Sequence, residues 1–315
     1  MSVELPFVVR ALRLEAVGVM SVELVPDAGV VVPDWAPGAH VDLVVGDGST
    51  RQYSLCGDPG VPVWRIAVLR EPAGRGGSAW VHDELRPGDR VRLRGPRNHF
   101  ALEPAAGYVF VAGGIGITPL LPLLAEASRR GATGQLHYFG RARPNMAFID
   151  ELTPYGDRVR VYAETDGPQP ALRTLLDELP SDTLVYACGP IGMLDALRAA
   201  MTEAGCLDRL RTELFAAPAA VQSSPEDGSF TIRLERSDVE LTVPADRSGL
   251  DVLLEAGVDV VHDCQEGICG SCETRVLGGE IDHRDHILTP QERAAGDCMM
   301  VCVSRAAGER LVLDL

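Results

Sequence analysis

The nine residues Cys264-Gln265-Glu266-Gly267-Ile268-Cys269-Gly270-Ser271-Cys272, answered by a distant Cys302, constrain this chain more than any other stretch. Three cysteines at C-x4-C-x2-C spacing with a remote fourth form the set that holds a [2Fe–2S] cluster through four thiolates. The loop is rich in small residues, Gly267, Gly270 and Ser271, so its backbone can wrap closely and turn N–H groups toward sulfur. Such hydrogen bonds tune a cluster's reduction potential. Four thiolates also suit structural zinc, but zinc sites usually come as two C-x2-C pairs, and here only one such pair exists. A [2Fe–2S] centre accepts one electron at a time, so the rest of the chain is read for the source of those electrons.

At 315 residues the chain has room for two or three domains, each with its own core. A net charge of −16 speaks against nucleic acid or an anionic membrane surface as partner, and suits a basic patch on another protein. No apolar run reaches the length that spans a bilayer. Met1-Ser2-Val3-Glu4 shows neither the basic nor the apolar region of a secretory leader. Eight cysteines, four of them at metal spacing, fit a reducing compartment in a chain this long. A cytoplasmic location is expected.

Residues 1–103 carry short apolar segments with partial alternation: Val8–Leu14, Val41–Val45, Trp64–Leu69 and Arg90–Arg94. Turn signals at Pro37-Gly38, Gly46-Asp47-Gly48, Pro59-Gly60 and Pro87-Gly88 separate them. The spacing predicts a small antiparallel barrel. Along Arg51-Gln52-Tyr53-Ser54-Leu55 the side chains alternate, so Arg51 and Tyr53 share one face. A guanidinium beside an aromatic ring and a hydroxyl suits a phosphate joined to a flat heterocycle. Gly74-Arg75-Gly76-Gly77-Ser78 opens a helical stretch, Ala79–Leu85, and could present N–H groups to an anion. Either motif alone is also what an ordinary strand and an ordinary turn look like. His40 and Cys56 are read as structural.

From residue 104 strands and helices alternate, the mark of a parallel sheet. The strand Tyr108–Ala112 runs into Gly113-Gly114-Ile115-Gly116-Ile117-Thr118-Pro119 and an apolar helix from Leu120 to Ala127. Thr118 suits the helix N-cap and Pro119 its first position. Glycines there let backbone approach a pyrophosphate. Further strands are expected at Gln135–Phe139, Arg158–Tyr162 and Thr183–Cys188, the last leading through Gly189-Pro190 into a helix ending at Glu203. Ligands bind at the carboxyl ends of such strands, which places Thr118 and Cys188-Gly189-Pro190 at one edge. Cys188 also fits as a small residue in tight packing. Arg141 and Arg143 follow the second strand and point mildly toward NADP.

Residues 218–228 have no apolar period and read as a tether. Beyond them come a strand pair between Phe230 and Val243, a helix at Leu250–Ala256, the cysteine loop, and Cys302 on a late strand. The segment from 229 holds 17 acids and 8 arginines, or −9 of the −16. Cys298 rivals Cys302 as fourth ligand by position alone.

Taken together, R-x-Y-S-L, G-R-G-G-S, G-G-I-G-I-T-P, C-G-P and the terminal cysteine set resemble the phthalate dioxygenase reductase family, which includes vanillate O-demethylase reductases. The resemblance runs through nearly the whole chain. It implies a multidomain fold of class β, then α/β, then α+β. An antiparallel flavin-binding barrel would occupy 1–103, a parallel-sheet NAD-binding domain 104–217, the linker 218–228, and a β-grasp plant-type ferredoxin domain 229–315. It implies FMN, with Arg51, Gly76, Gly77 and Ser78 on the phosphate, Tyr53 against the ring and Ser54 near its reactive nitrogen.

The resemblance implies NADH, against the hint from Arg141 and Arg143, held by Gly113, Gly114, Gly116 and Thr118, with Cys188, Gly189 and Pro190 flanking the nicotinamide. Phe215 would cover the flavin, with Glu213 nearby, although Phe215 also fits as a core aromatic. The ending Met299–Arg305 matches the family and selects Cys264, Cys269, Cys272 and Cys302 as ligands, leaving Cys298 a spectator. Gly57 stands where the family pattern leads one to expect asparagine. The implied activity is an oxygenase reductase passing electrons from NADH through FMN and [2Fe–2S] to a terminal oxygenase, acting as a monomer. A cytochrome P450 as acceptor, or a bare electron carrier without NADH oxidation, are the alternatives.

Overall fold

A computed structural model describes residues 4–72, 74, 76–176, 179–215, 227–262 and 264–315. They divide into two compact units, one running to Glu213 and one starting at Leu214. Of the expected tether, only Asp227 and Gly228 fall within the described residues, and Arg75 of the glycine-rich turn falls outside them. Among the described residues no helix is long and apolar enough to cross a membrane.

The first unit begins with six strands: β1 (Leu5–Ala16), β2 (Val19–Pro26), β3 (His40–Val44), β4 (Thr50–Ser54), β5 (Trp64–Leu69) and β6 (Arg90–Arg97). They pair antiparallel in the order β4-β3-β6-β1-β2-β5. The chain leaving β4 curls back onto β5, where Cys56 N–H donates to Arg65 O at 2.8 Å, so the two ends of the sheet meet as a barrel. Alternation fills its interior: Phe7 and Val9 of β1 face Trp64, Ile66 and Val68 of β5, with the Phe7 and Trp64 rings 4.7 Å apart. Each such side chain contributes roughly 1.5–3 kcal/mol on burial. Helix α1 (Gly77–Asp83) follows the glycine-rich turn two residues earlier than expected. The strand β2 was not anticipated. Its buried face includes Ser21, whose hydroxyl donates to Glu15, so the apolar alternation is broken in the sequence but satisfied in the fold.

Still in the first unit, β7 (Gly107–Gly113), helix α2 (Ile117–Arg129), β8 (Thr133–Gly140), the short helix α3 (Ile149–Leu152), β9 (Val159–Ala163), β10 (Thr183–Cys188), helix α4 (Ile191–Glu203) and β11 (Leu210–Glu213) form a parallel sheet in the order β11-β10-β7-β8-β9. The order reverses between β7 and β10, which opens a crevice at their carboxyl ends. This sheet shares a core with the barrel: Phe100 packs edge-on against Tyr186 at 5.3 Å, and Arg65 grips Glu151 through two hydrogen bonds of 2.6 and 2.8 Å. Thr118 is not the N-cap. A turn of 3-10 helix over Gly114–Gly116 precedes α2, Gly116 takes the cap position, and the Thr118 hydroxyl donates to Ile115 O at 3.0 Å.

The second unit contains β12 (Phe230–Leu234), β13 (Val239–Val243), helix α5 (Gly249–Glu255), β14 (Glu273–Gly278), β15 (Ile281–Asp282), helix α6 (Pro290–Ala295), β16 (Cys298–Met300), β17 (Arg305–Ala306) and β18 (Arg310–Leu313). Its main sheet, β13-β12-β18-β14-β16, is mixed, with β12 and β18 parallel. Ser248 and Asp251 start α5 with a reciprocal capping box, and Leu250 and Leu253 bury its inner face with Ile232, Val301 and Leu311. Cys302 is not on a strand. β16 ends at Met300, whose carbonyl accepts from Val303 and Ser304 N–H, and the resulting turn carries Cys302.

Candidate cofactor and cluster sites

Arg51 leaves the middle of β4 with its Nη1 donating to Ser49 Oγ at 3.0 Å and to Thr50 O at 2.7 Å. Gly77 makes room for it, since a Cβ there would lie 2.5 Å from Arg51 Cγ. Tyr53 is half-buried, and burial raises its phenol to about 12 while the Arg51 charge opposes the shift; the two stand two residues apart on β4, on one face of the strand. Gly76, at φ +81°, turns the chain into α1. The Ser78 hydroxyl accepts from Glu71 N–H at 3.0 Å and ties down that turn.

At the crevice of the parallel sheet the two glycine loops press together. A Cβ on Gly116 would lie 2.2 Å from Cys188 O, one on Gly189 would lie 2.9 Å from Gly113 Cα, and one on Gly113 would lie 2.6 Å from Pro190 Cδ. At this edge it is Gly113 and Gly116 that meet Cys188-Gly189-Pro190, an approach made possible by missing side chains, while the Thr118 hydroxyl turns back to Ile115 O.

Four side chains from four strands converge beside it. Ser54 stands opposite His40 across β3 and β4, and Cys188 opposite Glu213 across β10 and β11. Ser54 Oγ donates to Glu213 Oε2 at 3.2 Å, and His40 Nδ1 lies 3.9 Å from Glu213 Oε1. All but Glu213, at 15% exposure, are nearly sealed from solvent. Burial pushes the Glu213 carboxyl up to about 8, with the Ser54 hydroxyl opposing, and burial beside Glu213 pushes the Cys188 thiol well up. A carboxyl raised in the fold takes up a proton on folding between its usual value and about 8, so its contribution is complete below pH 4.5 and lost as pH rises through 8. Glu213→Gln should therefore match the parent's melting temperature near pH 5 and exceed it above pH 8. The gap is a few kcal/mol, one pKa unit being about 1.4 kcal/mol. Parallel melting curves across that pH range test it; parallel pH profiles would refute a buried, protonated Glu213.

In the second unit the cysteines fall into two pairs. Cys264, Cys269, Cys272 and Cys302 lie close enough to shift one another's ionisation, Cys264 chiefly with Cys269 and Cys302 chiefly with Cys272. Backbone N–H groups point at the sulfurs: Glu266 N at 3.3 Å from Cys264 Sγ, and Ser271 N at 3.5 Å from Cys269 Sγ. The Ser271 hydroxyl also lies 3.2 Å from Cys269 Sγ. The partner thiol Cys264 and this hydroxyl draw Cys269 down to about 5 against burial, while pairing and burial push Cys264 and Cys302 up. Gly267, at φ +69°, lets the loop pass Val303, whose Cγ2 would lie 2.6 Å from a Cβ. Cys298 stands apart on β16, its thiol raised to about 11 by burial and by Glu273, Asp297, Glu292 and Asp285. Cysteine sulfurs met by backbone N–H groups in a tight loop, with a fourth brought in from a distant turn, suit a [2Fe–2S] cluster, whose potential such donors tune.

Residues 232–307 match the model of the 2Fe-2S iron-sulfur cluster binding domain. Over 315 residues the chain is 41% identical to a vanillate O-demethylase oxidoreductase from Pseudomonas sp. (strain HR199 / DSM 7063), with 98% of this chain and 99% of that one aligned. The solved phthalate dioxygenase reductase, described as a modular structure for electron transfer from pyridine nucleotides to [2Fe–2S], matches 99% of this chain and 98% of its own at 36% identity and TM-score 0.70. The chain belongs to the phthalate dioxygenase reductase family. An intact type IV self-sufficient cytochrome P450 monooxygenase matches it at TM-score 0.94 and 42% identity, over 99% of this chain and 41% of that one. The chain therefore spans less than half of that larger protein.

For a reductase of this family the structure adds two residues to the sequence-derived set. Glu213 was a secondary candidate and His40 was read as structural, yet both stand with Ser54 and Cys188. Phe215 lies two residues beyond Glu213 and is 44% exposed, which rules out the reading of it as a core aromatic.

Proposed function

We propose that this chain is an oxygenase reductase that draws electrons from NADH and delivers them, by way of FMN and a [2Fe–2S] cluster, to a terminal oxygenase component. The cysteine loop that turns Glu266 and Ser271 N–H groups onto Cys264 and Cys269, with Cys302 carried on the turn after β16, is the observation that carries the reading. Bound flavin supplies the exchange between hydride and single electrons, and the cluster a one-electron carrier. The chain's own part is positioning. Arg51, Gly76, Gly77 and Ser78 hold the flavin phosphate, Tyr53 lies against its ring, and Ser54, with Glu213 and His40 behind it, faces the reactive nitrogen. Gly113, Gly114, Gly116 and Thr118 receive the pyrophosphate, Cys188-Gly189-Pro190 flank the nicotinamide, and Phe215 covers the flavin. Sealing Ser54, Cys188 and His40 from water supports hydride transfer without loss to solvent. The excess of acids in the cluster domain favours a basic face on the partner, through steering more than affinity.

The test is anaerobic titration of the purified protein, which should be yellow-brown and bleach with NADH, then return to colour on adding a Rieske-type oxygenase. A colourless, zinc-containing protein would end this reading. A haem monooxygenase as acceptor is the second reading, favoured by the similarity to the reductase portion of the self-sufficient enzyme. Presenting the reduced protein with each acceptor separates the two.

A further inference from the structure

A flavin site sealed from water needs a way out for a proton. Each hydride from NADH brings two electrons and one proton to the reactive nitrogen. A [2Fe–2S] centre takes electrons alone, so one proton per NADH must leave that nitrogen and reach solvent. Ser54, which faces it, and His40 behind it are both buried. An exposed imidazole stands against this sealed group. His99, in the turn after β6, stacks on His40 with ring centroids 5.9 Å apart and planes 25° apart, and it is open to solvent. Its neighbours pin that turn. Asn98 Nδ2 donates to Pro37 O at 3.0 Å and Ala36 O at 3.2 Å, and Phe100 N–H donates to Asn98 Oδ1 at 2.9 Å. The turn is thus tied to the segment that enters β3, where His40 is the first residue.

We infer that His40 and His99 form the exit by which this proton passes from Glu213 to solvent. The inference rests on the proposed flavin site and adds to it the residues that connect that site with water. The steps balance. As the N–H bond at the reactive nitrogen breaks, Ser54 Oγ takes that proton and passes its own to Glu213 Oε2 along the 3.2 Å hydrogen bond. Glu213 releases a proton from Oε1 to His40 Nδ1, and the proton on the other ring nitrogen moves on to His99 and water. The two electrons leave separately for the cluster, so no group on the route is oxidised or reduced. The 3.9 Å between Glu213 Oε1 and His40 Nδ1 exceeds a hydrogen bond, and one water or a small side-chain shift closes it. The step between the two rings is likewise within reach of one water. Burial raises Glu213 to about 8, close to the range in which an imidazole gains and loses a proton, so neither neighbour traps it. Arg97, opposite His40 across β3 and β6, is matched by Asp42, whose carboxylate accepts from its Nη2 at 2.6 and 2.5 Å. Cys188, opposite Glu213 on β10, has its thiol pushed well up by burial and stays protonated, so it is no rival acceptor.

The test compares the flavin- and cluster-loaded enzyme with its His99→Ala variant, a change at an exposed position that leaves the core intact. Each is reduced anaerobically with stoichiometric NADH, then mixed with ferricyanide in weakly buffered solution holding a pH-indicator dye. Flavin reduction by NADH should keep the parent rate. Reoxidation and the appearance of the proton should slow about tenfold or more, in keeping with what a positioned proton carrier contributes. Added imidazole should restore the rate, which it would not do for a merely structural loss. A second reading needs no turnover: in the resting enzyme the ring NMR signals of His40 should show a step near pH 8 that vanishes in Glu213→Gln. Reoxidation and proton release at the parent rate in His99→Ala would overturn the inference. So would a slowed rate that imidazole leaves unchanged, or a His40 signal indifferent to Glu213. Failure of NADH to bleach the flavin in the unsubstituted enzyme would take down the parent reading, and that failure is visible before any substitution is made.

Discussion

Cys269→Ser should leave NADH reducing the flavin at the parent rate while delivery of electrons to the acceptor falls to background. The sulfur of Cys269 is approached by both the N–H and the hydroxyl of Ser271, at 3.5 and 3.2 Å. These donors favour its ionised form, the one that ligates iron. A serine hydroxyl stays protonated where a thiol ionises, so it is a poor ligand in the same place. The loss should not spread to the first unit, which has its own core around Leu120, Phe110 and Tyr138. Nor should it unfold the second, whose core of Ile232, Leu253, Met299 and Leu311 holds without that sulfur. Stopped-flow bleaching of the flavin, the visible spectrum of the cluster and turnover with the acceptor give three separate readings. Cys298→Ser is the control and should change none of them, since that thiol takes no part in the pairs. Full delivery by Cys269→Ser would mean that the cluster is absent or is held by other residues.

What the sequence revealed, and what it hid, follows from how local each signal is. Ligand spacing in one loop and glycines between a strand and a helix are local patterns, and the fold put both where they were expected. The four strands expected in the parallel sheet came out within two residues, because buried parallel strands are apolar runs, whereas the short edge strand β11 and helix α3 went unsignalled. The errors have local causes too. A buried, hydrogen-bonded Ser21 disguised β2. The run Met299-Met300-Val301-Cys302 looks like a strand but must turn after Met300 to carry a thiol to Cys272. Thr118 looked like a cap because Ser and Thr cap helices often, yet the 3-10 turn over Gly114–Gly116 runs straight into α2, so the helix starts before it. The family pattern drew Ser54, Cys188 and Glu213 toward one place, but no short stretch signalled the contact of Ser54 with Glu213 or the presence of His40 beside them. Their gathering arises from two strand registers and from the docking of barrel on sheet.

Gly116→Ala should slow flavin reduction by NADH about 100-fold, the usual scale of loss for an ångström of misplacement at a reacting centre, and raise KM for NADH with it. Gly116 has φ −62°, which any residue adopts, so backbone conformation is not the obstacle. Space is. The added methyl would lie 2.2 Å from Cys188 O, 2.4 Å from Cys188 C and 2.7 Å from Gly189 N, all of them backbone atoms that cannot rotate aside. Relief requires the two loops to separate by about an ångström, at an overpacking cost of roughly 1–3 kcal/mol. Both loops are assigned to the same nucleotide, so separation displaces nicotinamide from flavin even where the protein stays folded. Gly131→Ala, in the turn after α2 and outside the loops assigned to the nucleotide, makes the contrast: at φ +73° it carries a strain of roughly 1–2 kcal/mol, but its methyl meets nothing within 4 Å. If crowding is what matters, Gly131→Ala should lose stability with little loss of hydride transfer, and Gly116→Ala should lose hydride transfer beyond its loss of stability. Equal kinetics in the two variants would show that the close approach of these loops does not position the nucleotide.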